Sequence, residues 1–258
     1  MLKRDMAIKL FYQLKLKREK ENIGFLDLLF PKKLKAFTLG FGFLKRFMFF
    51  QLRMGLKLIR KAKINLKLFS VLQDISMKKI LIISICKERL HYYEFVKPIE
   101  DIVKKSGKKF FTKHYTKLNS LDVEKAERII ICGTSLKDND FMKHLKNFMW
   151  IKTIDKPVLG ICGGMEIIGM VYQEKLKNNL EIGFYEEKFT KEFLGIYGIQ
   201  EVYHLHNYYV NFLSKYFFFF TEGKIAQAVR HREREIYGVL FHPEVRQKNL
   251  ITQFLEKK

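Results

Sequence analysis

The sequence predicts an α/β fold in which helices flank a doubly wound, mostly parallel sheet. Apolar, β-branched runs alternate with helical patterns between residues 79 and 171, and this alternation is typical of repeated β-α-β units. The apolar share of 48% is ample for a core of that kind. In such a sheet the carboxyl ends of the parallel strands share one edge, where ligand sites form. A functional site is therefore expected where the predicted strands end.

The predicted elements follow in chain order from residue 79. Strands are predicted at 79–85, 109–114, 126–132 and 158–161, with helices at 94–105 and 141–149. The first of these helices stops at Gly107, a common C-terminal signal. Beyond the fourth strand, an antiparallel stretch is predicted at 193–205, paired strands at 217–220 and 224–229, a buried strand at 236–241 and a closing helix at 249–255.

The segment 157–170 carries the strongest functional signal. A short apolar run leads into Cys162, glycines lie on both sides of it, and a helical pattern follows. This order is typical of a nucleophile elbow, in which small neighbours let the chain turn sharply. A cysteine at the N-terminus of a helix is favoured as the thiolate. The backbone N–H groups there, that of Gly163 first, can stabilise an oxyanion.

A base and an orienting carboxylate are predicted near the C-terminus. His242 and Glu244 follow the buried strand at 236–241, with Pro243 between them. Pro243 biases His242 towards extended backbone, in which side chains two residues apart point the same way. Glu244 is therefore expected to orient His242, which gives a nucleophile, a base and an orienter in Cys162, His242 and Glu244.

The Gly-Ile-Cys-Gly-Gly and Phe-His-Pro-Glu-Val motifs, in this order and spacing, resemble the class I (triad) glutamine amidotransferases over about 78–256. The resemblance is closest in character to stand-alone glutaminase subunits, such as that of a two-subunit GMP synthase. It implies a flavodoxin-like fold, hydrolysis of L-glutamine through the three residues above, and delivery of ammonia to a separate synthetase partner.

The resemblance also assigns three further positions. Gly133 stands where the family has a glycine-rich oxyanion loop, and His206 where the family's backbone contacts bound glutamine, with Leu205 in place of the usual serine. Glu166 replaces the glutamine that helps to bind substrate. An ionised carboxylate accepts hydrogen bonds but does not donate them, so Glu166 is expected to alter substrate recognition and to raise the pKa of the thiol. A glutamate in the first turn of a helix is also favourable in itself.

Two alternatives to a glutaminase stay open. One is a γ-glutamyl hydrolase or peptidase on the same scaffold, motivated by Glu166 and Leu205, and the other is a non-catalytic relative. No P-loop, dinucleotide-binding motif or His/Cys cluster with metal-ligand spacing occurs, so neither a cofactor nor a metal is expected. Cys86 and Cys132 end apolar runs and are predicted to be small buried hydrophobic residues. Three scattered cysteines indicate no disulfide framework and fit a reducing, cytoplasmic location.

The net charge of +22 is unevenly distributed along the chain. Residues 1–76 contain 18 Lys and Arg against 5 Asp and Glu, whereas 77–258 contain 31 against 22. We therefore predict a basic Lys/Leu/Phe-rich extension at 1–76 and the amidotransferase domain at 77–258. The extension has three open interpretations: a segment without an evolved fold, a contact with an anionic membrane surface, or a contact with nucleic acid or an acidic partner. Basic residues interrupt its apolar stretches before they reach membrane-spanning length.

Overall fold

The computed structural model describes residues 79–257. Its strands are β1 (Lys79–Ser84), β2 (Phe110–His114), β3 (Ala126–Ile131), β4 (Val158–Ile161), β5 (Lys175–Phe193), β6 (Ile196–Asn211), β7 (Phe217–Phe219), β8 (Ala228–His231) and β9 (Ile236–Val239). Its α-helices are α1 (Arg89–His91), α2 (Lys97–Lys105), α3 (Ser120–Lys125), α4 (Gly163–Val171) and α5 (Lys248–Glu256). A π-helical turn, Tyr92–Val96, joins α1 to α2, and 3₁₀ segments lie at Tyr115–Lys117 and Asp140–Lys152.

Seven of these strands form one sheet in the order β2-β1-β3-β4-β9-β8-β7. The first five strands are parallel to one another, whereas β8 is antiparallel to β9 and β7 is antiparallel to β8. The order reverses direction between β1 and its neighbours β2 and β3, which makes the sheet doubly wound. The predicted fold class is confirmed.

Both faces of this sheet are covered, because side chains alternate between two cores along each strand. On β1, Ile80 and Ile82 pack in one core, and Leu81 and Ile83 pack in the other. The first core also holds the apolar faces of α2 and α5. The second holds α4 and the apolar side chains of the 3₁₀ segment Asp140–Lys152. Near-continuous apolar strands of this kind are expected when a parallel sheet is buried on both sides.

The long strands β5 and β6 form a separate two-stranded antiparallel sheet. The prediction at 193–205 found only part of it, because β5 alternates exposed and half-buried positions and lacks the apolar runs that marked the other strands. Val210 on β6 packs closely against Gly169 of α4, and Phe189 and Phe193 on β5 belong to the first core. The hairpin therefore contacts both cores, α4 through Val210 and the first core through Phe189 and Phe193.

Two further expectations are corrected. The strand predicted at 224–229 begins later, at Ala228, because the Gln227 N–H donates to Thr221 Oγ1 (3.0 Å) and closes a loop. The helix predicted at 141–149 is a 3₁₀ segment interrupted at His144, whose backbone is not helical. Apart from the hairpin, the other predicted strands and helices were placed to within a few residues. The extension at 1–76 lies outside the described residues, so the domain boundary stays a prediction.

Candidate active site

Cys162 lies between β4 and α4 in a sharp turn with a left-handed backbone, φ 49°. Such a conformation is strained for a residue with a side chain and occurs mainly where function needs it. The Cys162 N–H donates to the Val239 carbonyl (2.7 Å), which fixes the turn to β9. The turn also needs glycine, because a methyl group on Gly164 would lie 2.3 Å from the Ile131 carbonyl oxygen. The predicted elbow geometry is therefore present.

His242 and Glu244 follow the end of β9, and both are buried. His242 Nδ1 and Glu244 Oε1 are 2.7 Å apart. The two side chains meet through a turn, since the Val245 N–H donates to the His242 carbonyl (3.2 Å), and not through the extended backbone that we expected. The His242 N–H donates to the Tyr203 carbonyl (2.8 Å), so β6 also holds the ring in place.

Cys162 and the ring of His242 both lie next to Gly133. A methyl group built on Gly133 would lie 2.6 Å from His242 Cε1 and 3.2 Å from Cys162 Cβ. Within the described chain His242 Nε2 has no well-formed hydrogen bond, while the Cys162 thiol donates to the Leu205 carbonyl (3.5 Å). The two side chains still interact through a loosely aligned hydrogen bond, as is common in apo sites.

The pKa values of this pair are set by opposing effects. Burial raises the pKa of the Cys162 thiol, and the neighbouring His242 and the Gly163 N–H act in the opposite direction. Burial disfavours the charged form of His242, but the negative charges of Glu244 and of the Cys162 thiolate outweigh it and hold the pKa of His242 well above its ordinary value. A raised histidine pKa beside a thiol favours proton transfer from sulfur to nitrogen.

Glu166 is buried in the first turn of α4 and is 4% exposed. Burial raises the pKa of its carboxyl group to about 8, although the nearby His242 lowers it. The group is therefore neutral at pH 7 and can donate as well as accept a hydrogen bond. The expected acceptor-only behaviour applies to the ionised carboxylate, which a pKa of about 8 makes the minor form at pH 7. When ionised, Glu166 raises the pKa of Cys162, in the direction we expected.

A small pocket opens beside Cys162 between β6 and the loop that follows β3. It is lined by Cys162, Gly163, Glu166, His206, Asn207 and residues of that loop. The loop is held by Asp138, which accepts from Thr134 Oγ1 (2.9 Å) and from the Lys87 N–H (2.6 Å). The Asn207 side-chain amide donates to the Leu136 carbonyl (2.6 Å) and ties β6 to the loop. We missed Asp138 because it belongs to no local motif, and Asn207 because it stands at a variable position of the motif that begins at His206.

His206 lies on β6 with its side chain fully buried. Its Nε2 is 2.9 Å from Glu181 Oε2 and 3.1 Å from His204 Nδ1. Burial and the neighbouring His204 lower the pKa of His206 to about 4, against the opposing influence of Glu181. The ring is therefore neutral at pH 7, and its Nε2 is engaged by Glu181 and His204. Of the predicted site residues, four line this pocket: Cys162, Gly163, Glu166 and His206. Gly133 and His242 lie beside Cys162, and Glu244 contacts His242.

Comparison with known proteins assigns the chain to a family. The sequence model described as glutamine amidotransferase class-I matches residues 91–258, more than half of the chain. The chain therefore belongs to the class I glutamine amidotransferases, as the motifs indicated. A solved structure from Thermoplasma acidophilum, assigned to a GMP synthase, has a TM-score of 0.62 at 18% identity, covering 69% of this chain and 92% of that one. A glutamine amidotransferase from Thermotoga maritima has a TM-score of 0.55 at 17% identity, with coverage of 70% and 97%.

Curated relatives are similar over part of their length. One of the subunits of the glutamine-hydrolyzing GMP synthase of Methanosarcina barkeri is 31% identical over 120 residues, covering 42% of this chain and 64% of that protein. Imidazole glycerol phosphate synthase subunit HisH 2 of Campylobacter jejuni is 31% identical over 144 residues, with coverage of 48% and 73%. The glutamine-hydrolyzing GMP synthase of Clostridium tetani is 33% identical over 99 residues, which are 36% of this chain and 19% of that protein. The match thus spans less than two thirds of either GMP synthase relative.

Proposed function

We propose that this chain hydrolyses the side-chain amide of L-glutamine to glutamate and ammonia, with Cys162, His242 and Glu244 as its triad. The observation that supports this most is the strained Cys162, set at the N-terminus of α4 beside the buried His242–Glu244 pair. Backbone strain of this kind persists only where the surrounding structure enforces it. We propose that this strained turn serves catalysis, because it presents the sulfur of Cys162 to a substrate carbonyl in the pocket that the residue lines.

The first half of the proposed reaction forms a thioester. Cys162 Sγ gives its proton to His242 Nε2 and attacks the amide carbon of glutamine. The backbone N–H groups of Gly163 and Gly133 stabilise the oxyanion of the tetrahedral intermediate. His242 then donates the proton to the departing nitrogen, and ammonia leaves. Glu244 keeps the Nδ1 proton of His242 in place and stabilises the imidazolium form.

The second half returns the enzyme to its starting state. A water molecule gives a proton to His242 Nε2 and attacks the thioester carbon. The carbon–sulfur bond breaks, Cys162 recovers its proton, and glutamate is released. In the resting state the thiol contacts both the Leu205 carbonyl (3.5 Å) and His242, so the proton acceptor already lies beside the nucleophile.

Glu166 and His206 are proposed to contribute to substrate binding. A neutral Glu166 offers one donor and one acceptor, as a carboxamide side chain does, so it can pair with a polar group of glutamine at pH 7. The side chain of His206 is held by Glu181 and His204, so its backbone is the part available to substrate. The alternative of a γ-glutamyl hydrolase or peptidase rests on Glu166 and Leu205 and predicts a different substrate preference.

We further propose that the ammonia is delivered to a separate synthetase partner. The similar proteins of Methanosarcina barkeri and Campylobacter jejuni are named as subunits of synthases, which favours a partner for this chain too. A cytoplasmic location, and contact of residues 1–76 with nucleic acid or an anionic membrane, stay predictions. Within residues 79–257, no helix is long and apolar enough to cross a membrane.

The proposal is tested by covalent labelling with an electrophilic glutamine analogue. The purified protein is incubated with the analogue, and the adduct is mapped by mass spectrometry with and without competing glutamine. We expect one adduct, on Cys162, that glutamine suppresses. Cys86→Ala serves as the control, because Cys86 is also a buried free thiol and its removal leaves the labelling unchanged.

Other labelling patterns would argue against a glutamine site. An adduct on Cys162 that γ-glutamyl conjugates suppress and glutamine does not would favour the γ-glutamyl hydrolase. An unreactive Cys162 in a folded protein, both alone and with a candidate synthetase added, would favour the non-catalytic alternative.

A further inference from the structure

A cluster of metal-ligating side chains lies on the β5–β6 hairpin, next to the candidate active site. The strand register places Glu181 directly opposite His206, and Gly183 directly opposite His204. His204 and His206 are two residues apart on one strand, so their side chains share a face. The glycine opposite His204 leaves room on that face, and the Glu181 carboxylate turns towards both rings.

We propose that Glu181, His204 and His206 bind a divalent transition-metal ion of the zinc class. This site is separate from the glutaminase triad and does not rest on the proposed function. Two imidazoles and one carboxylate are a ligand set that zinc and related ions prefer.

The distances between the three donor atoms fit one shared ion. His204 Nδ1 is 3.1 Å from His206 Nε2 and 3.5 Å from Glu181 Oε2, and His206 Nε2 is 2.9 Å from Glu181 Oε2. Zinc bonds of about 2.0–2.1 Å at tetrahedral angles put the ligand atoms about 3.3 Å apart. The three atoms therefore already have close to the separations that a tetrahedral ion imposes.

A second carboxylate supports the required tautomer of His204. Its other ring nitrogen, Nε2, is 3.3 Å from Glu187 Oε1. The two atoms form an ion-pair contact without well-formed hydrogen-bond geometry, and a small shift of the Glu187 carboxylate towards a proton on Nε2 would leave the lone pair of Nδ1 to the cluster. Carboxylates on the outer nitrogen of metal-binding histidines are a regular feature of such sites, because they fix the tautomer and raise the basicity of the ring. This contact is independent of the three donor atoms themselves.

Burial leaves these groups few ways to satisfy one another in the tautomer that carries the His204 proton on Nε2. Both histidine side chains are fully buried, and Glu181 is 22% exposed. With its proton facing Glu187, His204 offers only a lone pair to the centre, as Glu181 does. A single proton on His206 would then have to serve two acceptors. A divalent ion satisfies all three donor atoms at once.

Gln227 provides a candidate fourth ligand. Its side chain is buried at 3% exposure, its Nε2 lies 3.4 Å from Glu181 Oε2, and its Oε1 has no hydrogen-bond partner within the described chain. The oxygen and nitrogen of a side-chain amide can be exchanged by a flip. After such a flip Oε1 would lie about 3.4 Å from Glu181 Oε2, close to the separation of two ligand atoms on one zinc ion. A water molecule is the other candidate for the fourth position.

The ion would stiffen the wall of the active-site pocket. Leu205 lies between the two histidines, and its carbonyl accepts from the Cys162 thiol. Holding His204 and His206 on one ion therefore fixes the segment that contacts the nucleophile. We assign the ion a structural role at this wall and no part in the bond-breaking steps.

The test is metal binding by the full-length protein. The protein is stripped with a chelator, titrated with Zn²⁺, and assayed for bound metal by mass spectrometry. We expect about one Zn²⁺ per chain, and a loss of at least about 100-fold in affinity in His204→Ala and in Glu181→Gln. Glu187→Gln is expected to lose about 10- to 100-fold, as changes to outer carboxylates do. Glu186→Gln, an exposed neighbour on the same strand, is the matched control and keeps the wild-type affinity.

Cobalt substitution distinguishes this site from the reactive thiol. Co²⁺ bound by nitrogen and oxygen ligands gives a tetrahedral visible spectrum without a thiolate charge-transfer band, and Cys162→Ala leaves that spectrum unchanged. The proposal is overturned if the folded wild-type protein binds no zinc, if the spectrum shows a thiolate band that Cys162→Ala removes, or if Glu181→Gln binds as tightly as wild type. Circular dichroism checks that each variant is folded. If His204→Ala unfolds, Glu181→Gln and Glu187→Gln decide the outcome.

Discussion

The ends of β3 and β4 lie side by side in the sheet, and each ends in Cys-Gly: Cys132-Gly133 after β3 and Cys162-Gly163 after β4. Both cysteines are buried free thiols. Burial raises the pKa of Cys132 well above its ordinary value, and the charges that act on it raise it further. Cys162 experiences the same burial, but His242 opposes the effect.

The two cysteines differ in backbone conformation as clearly as they differ in their charged neighbours. Cys162 has a left-handed backbone and begins α4, whereas Cys132 has no such strain and leads into an irregular loop. The two dipeptides are identical, so the chemistry of each thiol depends on the turn and on the neighbouring side chains. A buried cysteine at a strand end is by itself a hydrophobic residue. It becomes a candidate nucleophile when a sharp turn and a base come with it.

The largest expected effect is on catalysis, and it falls on one cysteine alone. Cys162→Ala removes the proposed nucleophile and should lower glutamine hydrolysis by at least about 10³-fold. Cys132→Ala should change kcat by less than about threefold, because it removes only a small buried group. Steady-state release of glutamate, measured with the synthetase partner when the chain alone is slow, checks both variants. Equal losses in the two variants would show that burial, and not the turn, governs the site.

A comparison of two buried histidines extends the contrast. His242→Gln should lower kcat by about 10²–10⁴-fold, the usual contribution of a general acid or base. His231→Gln is the control: His231 accepts backbone N–H groups at Nδ1 and lies away from the elbow, so kcat should be unchanged. Activity of His242→Gln within tenfold of wild type would remove His242 from the mechanism.

The pH profile of kcat/KM in Glu244→Gln tests whether Glu244 acts through the charge state of His242. It removes the negative charge that helps to raise the pKa of His242, so the acidic limb of kcat/KM should move to lower pH with a smaller loss of rate. The expected result is a shifted limb in Glu244→Gln and an unshifted limb in His231→Gln. An unshifted profile in Glu244→Gln would contradict the proposed electrostatic role.

Two glycines of α4 test how strongly the elbow depends on close packing. A methyl group on Gly164 would meet the Ile131 carbonyl oxygen at 2.3 Å, and one on Gly169 would meet a Val210 methyl group at 2.4 Å. Backbone cannot give way as a side chain can, so Gly164→Ala should cost about 2–4 kcal/mol and Gly169→Ala about 1–2 kcal/mol. Both variants add one methyl group to the same helix, which makes them a suitable pair for comparison. Chemical denaturation measures the difference, and a larger cost at Gly169 would contradict this account of the turn.

A change in stability of similar size is expected from the pH dependence of Glu166. Its pKa is about 8 in the folded protein and about 4.3 in an unfolded chain. The folded state therefore holds an extra proton between these values, and this stabilisation is lost as the pH rises through 8. From pH 6 to pH 9 the free energy of unfolding should fall by about 2–3 kcal/mol through this group.

Glu166→Gln should remove that part of the pH dependence, because an amide does not titrate. Exposed Glu192→Gln is the control and should follow the wild-type curve. Denaturant midpoints at pH 6 and pH 9 measure the difference. Parallel curves for wild type and Glu166→Gln would mean that the carboxyl group is already ionised at pH 6.

The sequence by itself determined the sheet, the elbow and the family. The strands buried on both faces were visible as apolar runs, and their bounds were found to within a few residues. Cys162, His242 and Glu244 were visible because each belongs to a short motif whose geometry is local: a strand-turn-helix in one case and a two-residue spacing in the other. Local patterns carry this information because backbone conformation depends on near neighbours.

Only the tertiary structure decided the features that depend on contacts between distant segments. The neutral state of Glu166 follows from burial, which the sequence does not state. The convergence of Glu181 with His204 and His206 depends on the register of two long strands, and one of these strands lacked the apolar runs that would have marked it. The loop anchored by Asp138 depends on contacts from three segments. Desolvation and strand pairing act between residues far apart in the chain, so their consequences for charge and ligand binding appear only when the chain is folded.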